Sequence, residues 1–116
     1  MNLYHCLIEL KQDAKALAFA SAVDAWLSRL QARGVIGGWR LLRRKLGLAS
    51  GSHTDFLLEI EVEGLAQLDG AFAALSTAED DDERRYEQVH HMIARAEVGL
   101  YRPFPDPAFR ERIALI

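Results

Sequence analysis

The nine residues from Asp55 to Glu63, DFLLEIEVE, restrict the possible folds more than any other stretch of this chain. Phe56, Leu58, Ile60 and Val62 occupy every second position, and Asp55, Leu57, Glu59 and Glu61 fall between them. A side-chain period of two belongs to a β-strand with one buried and one wetter face, because successive Cβ atoms point to opposite sides. A helix would mix the two sets around its circumference. A strand of this kind needs a sheet covered on one side, so the rest of the chain must supply neighbouring strands and a cover.

The first ten residues supply one such neighbour. In NLYHCLIELK, from Asn2 to Lys11, Tyr4, Cys6, Ile8 and Leu10 alternate with Leu3, His5, Leu7 and Glu9, and the first set is the expected core face. A helix follows, with Asp13 as the expected N-cap and with Leu17, Phe19, Ala20, Val23, Trp26, Leu27 and Leu30 at three- and four-residue spacing. Gly34 is the expected stop, since the position after a helix favours positive φ.

Gly37 and Gly38 then open GGWRLLRRKLG, which carries four cations, Arg40, Arg43, Arg44 and Lys45, in six residues of an expected strand. Pairing Leu46 with Asp55 across the small-residue loop 47–53 would set Arg40 opposite Glu61 and Arg44 beside Leu57, so that opposite charges meet on one face. A slip of one residue would bring Arg43 and Lys45 there instead. In the first register Arg43 and Lys45 snorkel outward from the helix-covered face.

After DFLLEIEVE a second helical pattern runs through Leu65, Leu68, Phe72 and Leu75. It breaks near Ser76, restarts at a Thr77 and Asp80 capping pair within the acidic run Glu79 to Glu83, and is expected to continue through Tyr86, Val89, Met92 and Ile93. Ala96 to Arg102 reads as a fourth strand, ended by Pro103, Pro105 and Pro107, which remove backbone donors. The order β-α-β-β-α-β with short connections is the split βαβ, ferredoxin-like plan: an α+β, four-stranded antiparallel sheet with helices on one face. The expected domain spans residues 1–103. Residues 104–116 form a proline-rich tail whose Phe109, Ile113, Leu115 and Ile116 pack on their own or a partner subunit.

Composition narrows the function classes. The chain has 116 residues, half of them hydrophobic, which suits one domain with a real core. A net charge of −3 gives no global attraction to nucleic acid, and the basic strand has Trp39 as its one interleaved aromatic and an acidic neighbour. The charge on that strand is explained by protection of a sheet edge or by lining a cavity. A single cysteine, Cys6, excludes internal disulfides and cysteine-based zinc patterns and agrees with a reducing cytoplasm. No histidine spacing suits a metal: His90 and His91 are adjacent on a helix, and His53 sits in a loop. No apolar run approaches a membrane span, so no membrane partner is expected.

The element order, the half-apolar uncovered face with Leu3, Leu7 and Leu57, and the extra helical turn before the last strand resemble the dimeric α+β barrel superfamily. The stretches GGWRLLRRKLGLASGSHTDFLLEIEV and GLYRPFPDP are similar to a small family of uncharacterised bacterial proteins. The resemblance implies a homodimer with sheet packed on sheet, and a range of activities: cofactor-independent monooxygenases, haem-binding and haem-degrading enzymes, isomerases, and stress-responsive proteins without an assigned reaction. Asn2, Trp39 and His90 do not reproduce the haem pattern in spacing or order, so no cofactor is expected.

Two functions remain open from the sequence. In one, the barrel encloses a small-molecule pocket lined by Leu7, Arg40, Leu42, Arg44 and Leu57. His5 or Glu59 takes a proton there, and Tyr101 or an arginine holds the developing oxyanion, in a monooxygenase-like or isomerase-like reaction. In the other, the face is a dimer interface of a non-enzymatic interaction or stress-responsive protein, and its charges are consumed in pairs. His5 and Cys6 are equally readable as packed structural residues, Cys6 as a small hydrophobe.

Overall fold

The computed structural model describes residues 2–45, 55–64, 66–67, 69–70, 73 and 80–105. Strand β1 (Asn2–Leu10) is followed by helix α1 (Ala16–Ala32), strands β2 (Trp39–Arg43) and β3 (Phe56–Val62), helix α2 (Asp80–His91) and strand β4 (Ile93–Tyr101). Residues 66–67, 69–70 and 73, within the second helical pattern, are also helical. The strands form one sheet in the order β2-β3-β1-β4 with every neighbouring pair antiparallel, which is the expected ferredoxin-like plan.

The alternation in β1 and β3 sorts the sheet as expected. Cys6, Ile8, Phe56, Leu58, Ile60 and Val62 are buried on one face against Phe19, Val23, Trp26, Leu27 and Leu30 of α1 and Val89 of α2. Phe19 and Phe56 touch at 5.2 Å between ring centroids, joining helix to sheet. Leu17 does not belong to this stripe: it is 86% exposed, because two residues before Phe19 means about 200° around a helix. Gly34, at φ +74°, stands just past the helix end as expected.

Four local expectations are corrected. Asp13 does not cap α1; Lys15 occupies the N-cap position without a side-chain bond, because Gln12 and Asp13 are taken up in a turn closed by Ala14 N–H donating to the Lys11 carbonyl at 3.0 Å. The basic strand keeps the expected parity but is displaced by two residues: Arg40 lies opposite Glu59, and Leu42 opposite Leu57. Two hydrogen bonds between the Gly37-Gly38 pair and Glu61, each 2.8 Å, extend this ladder and lock its register. Arg44 therefore does not lie beside Leu57. It follows the end of β2, with its backbone N–H on the Asp55 carbonyl at 2.9 Å. Finally, Ile93 begins β4 instead of ending the helix, since β1 is long enough to pair with it through Leu10 ↔ Ile93 after a register shift at Glu9/Leu10.

Arg43 does snorkel as expected. It lies on the helix side at the strand end, exposed, with its guanidinium 5.9 Å from the Phe56 ring centroid. Expectations resting on loop 47–53 with His53, on Leu65, Leu68, Phe72 and Leu75, on Thr77 and the start of the acidic run, and on the tail with Phe109, Ile113, Leu115 and Ile116 lie outside the described residues.

Candidate functional site

The two faces of the sheet each gather a set of side chains with chemical potential. On the face away from the helices, His5 sits on central β1 with Glu59 as its cross-strand partner on β3 and Gly99 as its partner on β4. Tyr101 leans back over Gly99. A Cβ at position 99 would lie 3.2 Å from Tyr101 Cε2, so glycine there leaves room for the phenol ring. The ring meets His5 edge-on, 5.5 Å between centroids and 77° between planes. The sequence reading missed Gly99; the signal available was a glycine inside an otherwise regular strand pattern.

Arg40 donates from Nε to Glu59 on the neighbouring strand, and this bond raises the arginine's already high pKa. Arg95 and Glu9 form a second pair across β4 and β1 at 3.3 Å. Leu7 and Leu57 lie half-buried in the row between these pairs, Leu3 is half-buried on the other side of His5, and Leu42 is exposed beside Leu57. The fold thus brings together His5, Leu7, Arg40, Leu42, Leu57, Glu59 and Tyr101 on one face. Arg44 is left out.

The helix side of the sheet carries a cleft of about 190 Å³, open past the exposed His90, Ala96 and Val98. Tyr4, Cys6 and Val98 of the sheet and Trp26, Tyr86 and His90 of the helices are among its walls. Tyr86 and His90 are one turn apart on α2, with ring centroids at 3.8 Å and planes 31° apart. Trp26 meets both edge-on, at 5.4 and 5.9 Å. His90 Nδ1 is 2.9 Å from the Tyr86 carbonyl. A carbonyl only accepts, so in this bond Nδ1 carries the proton, and Nε2 of a neutral ring is an acceptor.

The Trp26 indole N–H, on a residue only 8% exposed, has no hydrogen-bond partner among the described residues. Burial pushes the Cys6 thiol up to about 11, an effect that the Tyr4 hydroxyl only partly offsets. Burial, followed by the neighbouring Cys6, likewise raises the Tyr4 phenol. Both groups are therefore neutral at physiological pH. The sequence reading placed Trp26 in the core, where it is, but missed the cavity beside it. The four-residue spacing of Tyr86 and His90 was the legible part.

This sheet, with helices on a single face, is that of the ferredoxin-like α+β proteins. Within that class the chain belongs to a family of unknown function, DUF6614, which matches residues 1–116. No curated protein sequence matches it. Among solved structures, a NIPSNAP family protein of unknown function from Agrobacterium tumefaciens is similar at a TM-score of 0.66 and 17% identity, over 89% of this chain and 87% of that one. A dimeric ferredoxin-like protein of unknown function from Thermobifida fusca aligns at 0.61 and 17% identity, over 89% and 92%. SnoaB, a cofactor-independent oxygenase from Streptomyces nogalater, aligns at 0.65 and 10% identity, over 97% and 95%. At these identities the likeness is one of fold. No helix among the described residues is long and apolar enough to cross a membrane.

Proposed function

We propose that this chain acts as a cytoplasmic homodimer, with two open sheet faces closed on one another as a barrel, and that each subunit binds a small molecule in the cavity beneath its helices. The cavity carries the binding half of this reading. The space is about 190 Å³ of apolar cleft lying against the core and opening past His90, Ala96 and Val98, room for a small molecule. Support for the dimer comes from the leucines of the open face, which form an apolar strip between ion pairs, and from the Thermobifida protein, which is described as dimeric.

The open face also supplies the groups for a catalytic version. His5 or Glu59 would take a proton and Tyr101 would hold the oxyanion, as a cofactor-independent oxygenase or isomerase would require. Arg40 gives its Nε–H to Glu59 and would offer its terminal guanidinium nitrogens for that task, while Arg44 follows the strand end. The non-enzymatic reading, in which this face is an interface only, draws on the same pairs: Arg40 with Glu59 and Arg95 with Glu9 already consume much of its charge.

Native mass spectrometry of gently purified protein tests both halves. The expected result is a dimer with retained small-molecule mass. A dimer stripped of ligand in every preparation would favour the interface reading, and a clean monomer at micromolar concentration would overturn the barrel.

A further inference from the structure

Resting on the dimer of that reading, we infer that its two-fold axis runs along the strands, between β1 and β3, so that each candidate site on the open face is shared: His5 and Tyr101 of one subunit face the partner's Glu59 and the partner's Arg40. The strand registers lay the open face out as a grid. One row across β2, β3, β1 and β4 holds Arg40, Glu59, His5 and Gly99, and the next holds Leu42, Leu57, Leu7 and Glu97. Tyr101 starts one row away and leans over Gly99. With strands about 4.8 Å apart, the Arg40 backbone is about 10 Å from that of His5 and about 14 Å from that of Gly99 in the same chain.

Two copies that join by the same face are related by a two-fold axis lying between the sheets, and packed sheets have their strands either aligned or crossed near a right angle. A crossed arrangement leaves the edge strands β2 and β4 without ladder partners. An axis across the strands brings β2 to the partner's β2, which sets Arg40 and Arg43, and Arg44 and Lys45 just beyond them, against the same cations. An axis along the strands brings β2 to the partner's β4 instead. These two run in opposite directions in the sheet, so they meet antiparallel and all eight strands close without an edge, at the size whose interior side chains fill.

Charge agrees with this last arrangement. Glu97 is exposed on β4 and has no ion-pair partner among the described residues. The partner's Leu42 comes to its row, with the partner's Arg40 and the partner's Arg44 one row to either side. In the row of Glu9 and Asp55, the carboxylates are occupied within each chain: Asp55 accepts the Leu10 N–H at 3.1 Å, and Glu9 pairs with Arg95 at 3.3 Å.

Rotation about a line leaves heights along that line unchanged, so every row meets its own copy. Leu7 lies over the partner's Leu57, and the four leucines nearest the axis form an apolar seam. In the neighbouring row His5 faces the partner's Glu59, and Gly99 faces the partner's Arg40. The usual angle of about 30° between aligned sheets shifts the edge strands by about one residue, within an arginine's reach, and the central strands less. The His5 ring nitrogens have no hydrogen-bond partner among the described residues, and Arg40 has terminal nitrogens beyond the Nε that Glu59 takes. Facing backbones about 10 Å apart bring the Tyr101 ring and the partner's guanidinium together from opposite sides, whereas about 14 Å separates them along one sheet. The two donors available to one oxyanion therefore meet across the dimer, and a proton taken by His5 is held beside the partner's carboxylate. A single subunit carries an incomplete site.

The test uses wild-type protein, half ¹³C-labelled and half unlabelled, unfolded in urea and refolded together, with the mixed dimer verified by native mass spectrometry. Nuclear Overhauser contacts between labelled and unlabelled subunits are then recorded. Contacts are expected from the Leu7 methyls to the partner's Leu57 and from the Tyr101 ring to the partner's Arg40. Contacts joining β2 to the partner's β2, such as Leu42 to the partner's Leu42, overturn the shared site and leave the sheet-on-sheet dimer standing. A dimer whose open-face leucines touch nothing of the partner overturns the sheet-on-sheet reading as well. A chain that stays monomeric at millimolar concentration overturns the dimer itself.

Discussion

Leu57 and Leu58 are adjacent on the same strand and have different surroundings. Leu58, 4% exposed, packs into the core beneath the helices, whereas Leu57 is half-buried on the open face opposite Leu42. The contrast extends over the sheet. One face is apolar and, over β1 and β3, covered by helices from the same chain, with Val98 and Leu100 of β4 exposed at its side; the other mixes leucines with Arg40–Glu59, Arg95–Glu9 and the His5–Tyr101 contact. The covered face holds the fold together, and the open face carries the paired charges.

Replacing each leucine by alanine tests that division most directly. Leu58→Ala should cost about 2–5 kcal/mol by chemical denaturation, the range for a core leucine deletion. Leu57→Ala should cost about 1 kcal/mol or less where the chain is monomeric, because only part of its side chain leaves water on folding. Its effect should grow with protein concentration when the open faces pair. Equal costs at high dilution would mean that both faces serve the fold.

A smaller effect separates the faces by pH. Cys6 ionises near 9.0 in the unfolded chain and near 11 when folded, so its contribution to stability is full below about pH 9 and declines as pH rises toward 11. Two pH units correspond to about 3 kcal/mol at most. Tyr4, also raised, acts in the same direction. Urea midpoints should fall through this window, and Cys6→Ala should flatten the fall. A wild-type profile without that decline would place Cys6 in a wetter environment than the covered face affords.

The smallest effect belongs to the exposed ion pair. Arg40→Gln should leave the thermal midpoint within measurement scatter and reduce its dependence on salt, since exposed pairs contribute little and are screened. A clear loss of stability would show the open face supporting the fold of the single chain.

Much of this architecture is legible in residue order. The period of two in DFLLEIEVE and NLYHCLIELK identified the core faces of β3 and β1, and the spacing of Phe19, Val23, Trp26 and Leu30 identified that of α1. Boundaries were harder. Asp13 has the chemistry of an N-cap, yet a local turn uses that part of the chain, and Ile93 fits a helical spacing as well as the strand that β1 draws it into. The parity of the basic strand followed from matching charges, but its two-residue offset did not, because the same faces meet in either register.

The site divides the same way. That His5, Leu7, Glu59 and Tyr101 share a face follows from alternation and antiparallel pairing, which are properties of the chain and the backbone. That Tyr101 rests over Gly99, that Arg40 reaches Glu59 instead of Glu61, and that the Trp26 indole N–H is buried without a partner among the described residues were decided only in three dimensions. Periodicity fixes which way a side chain points. The distance between two elements, and the space left between them, depends on how whole surfaces pack against each other.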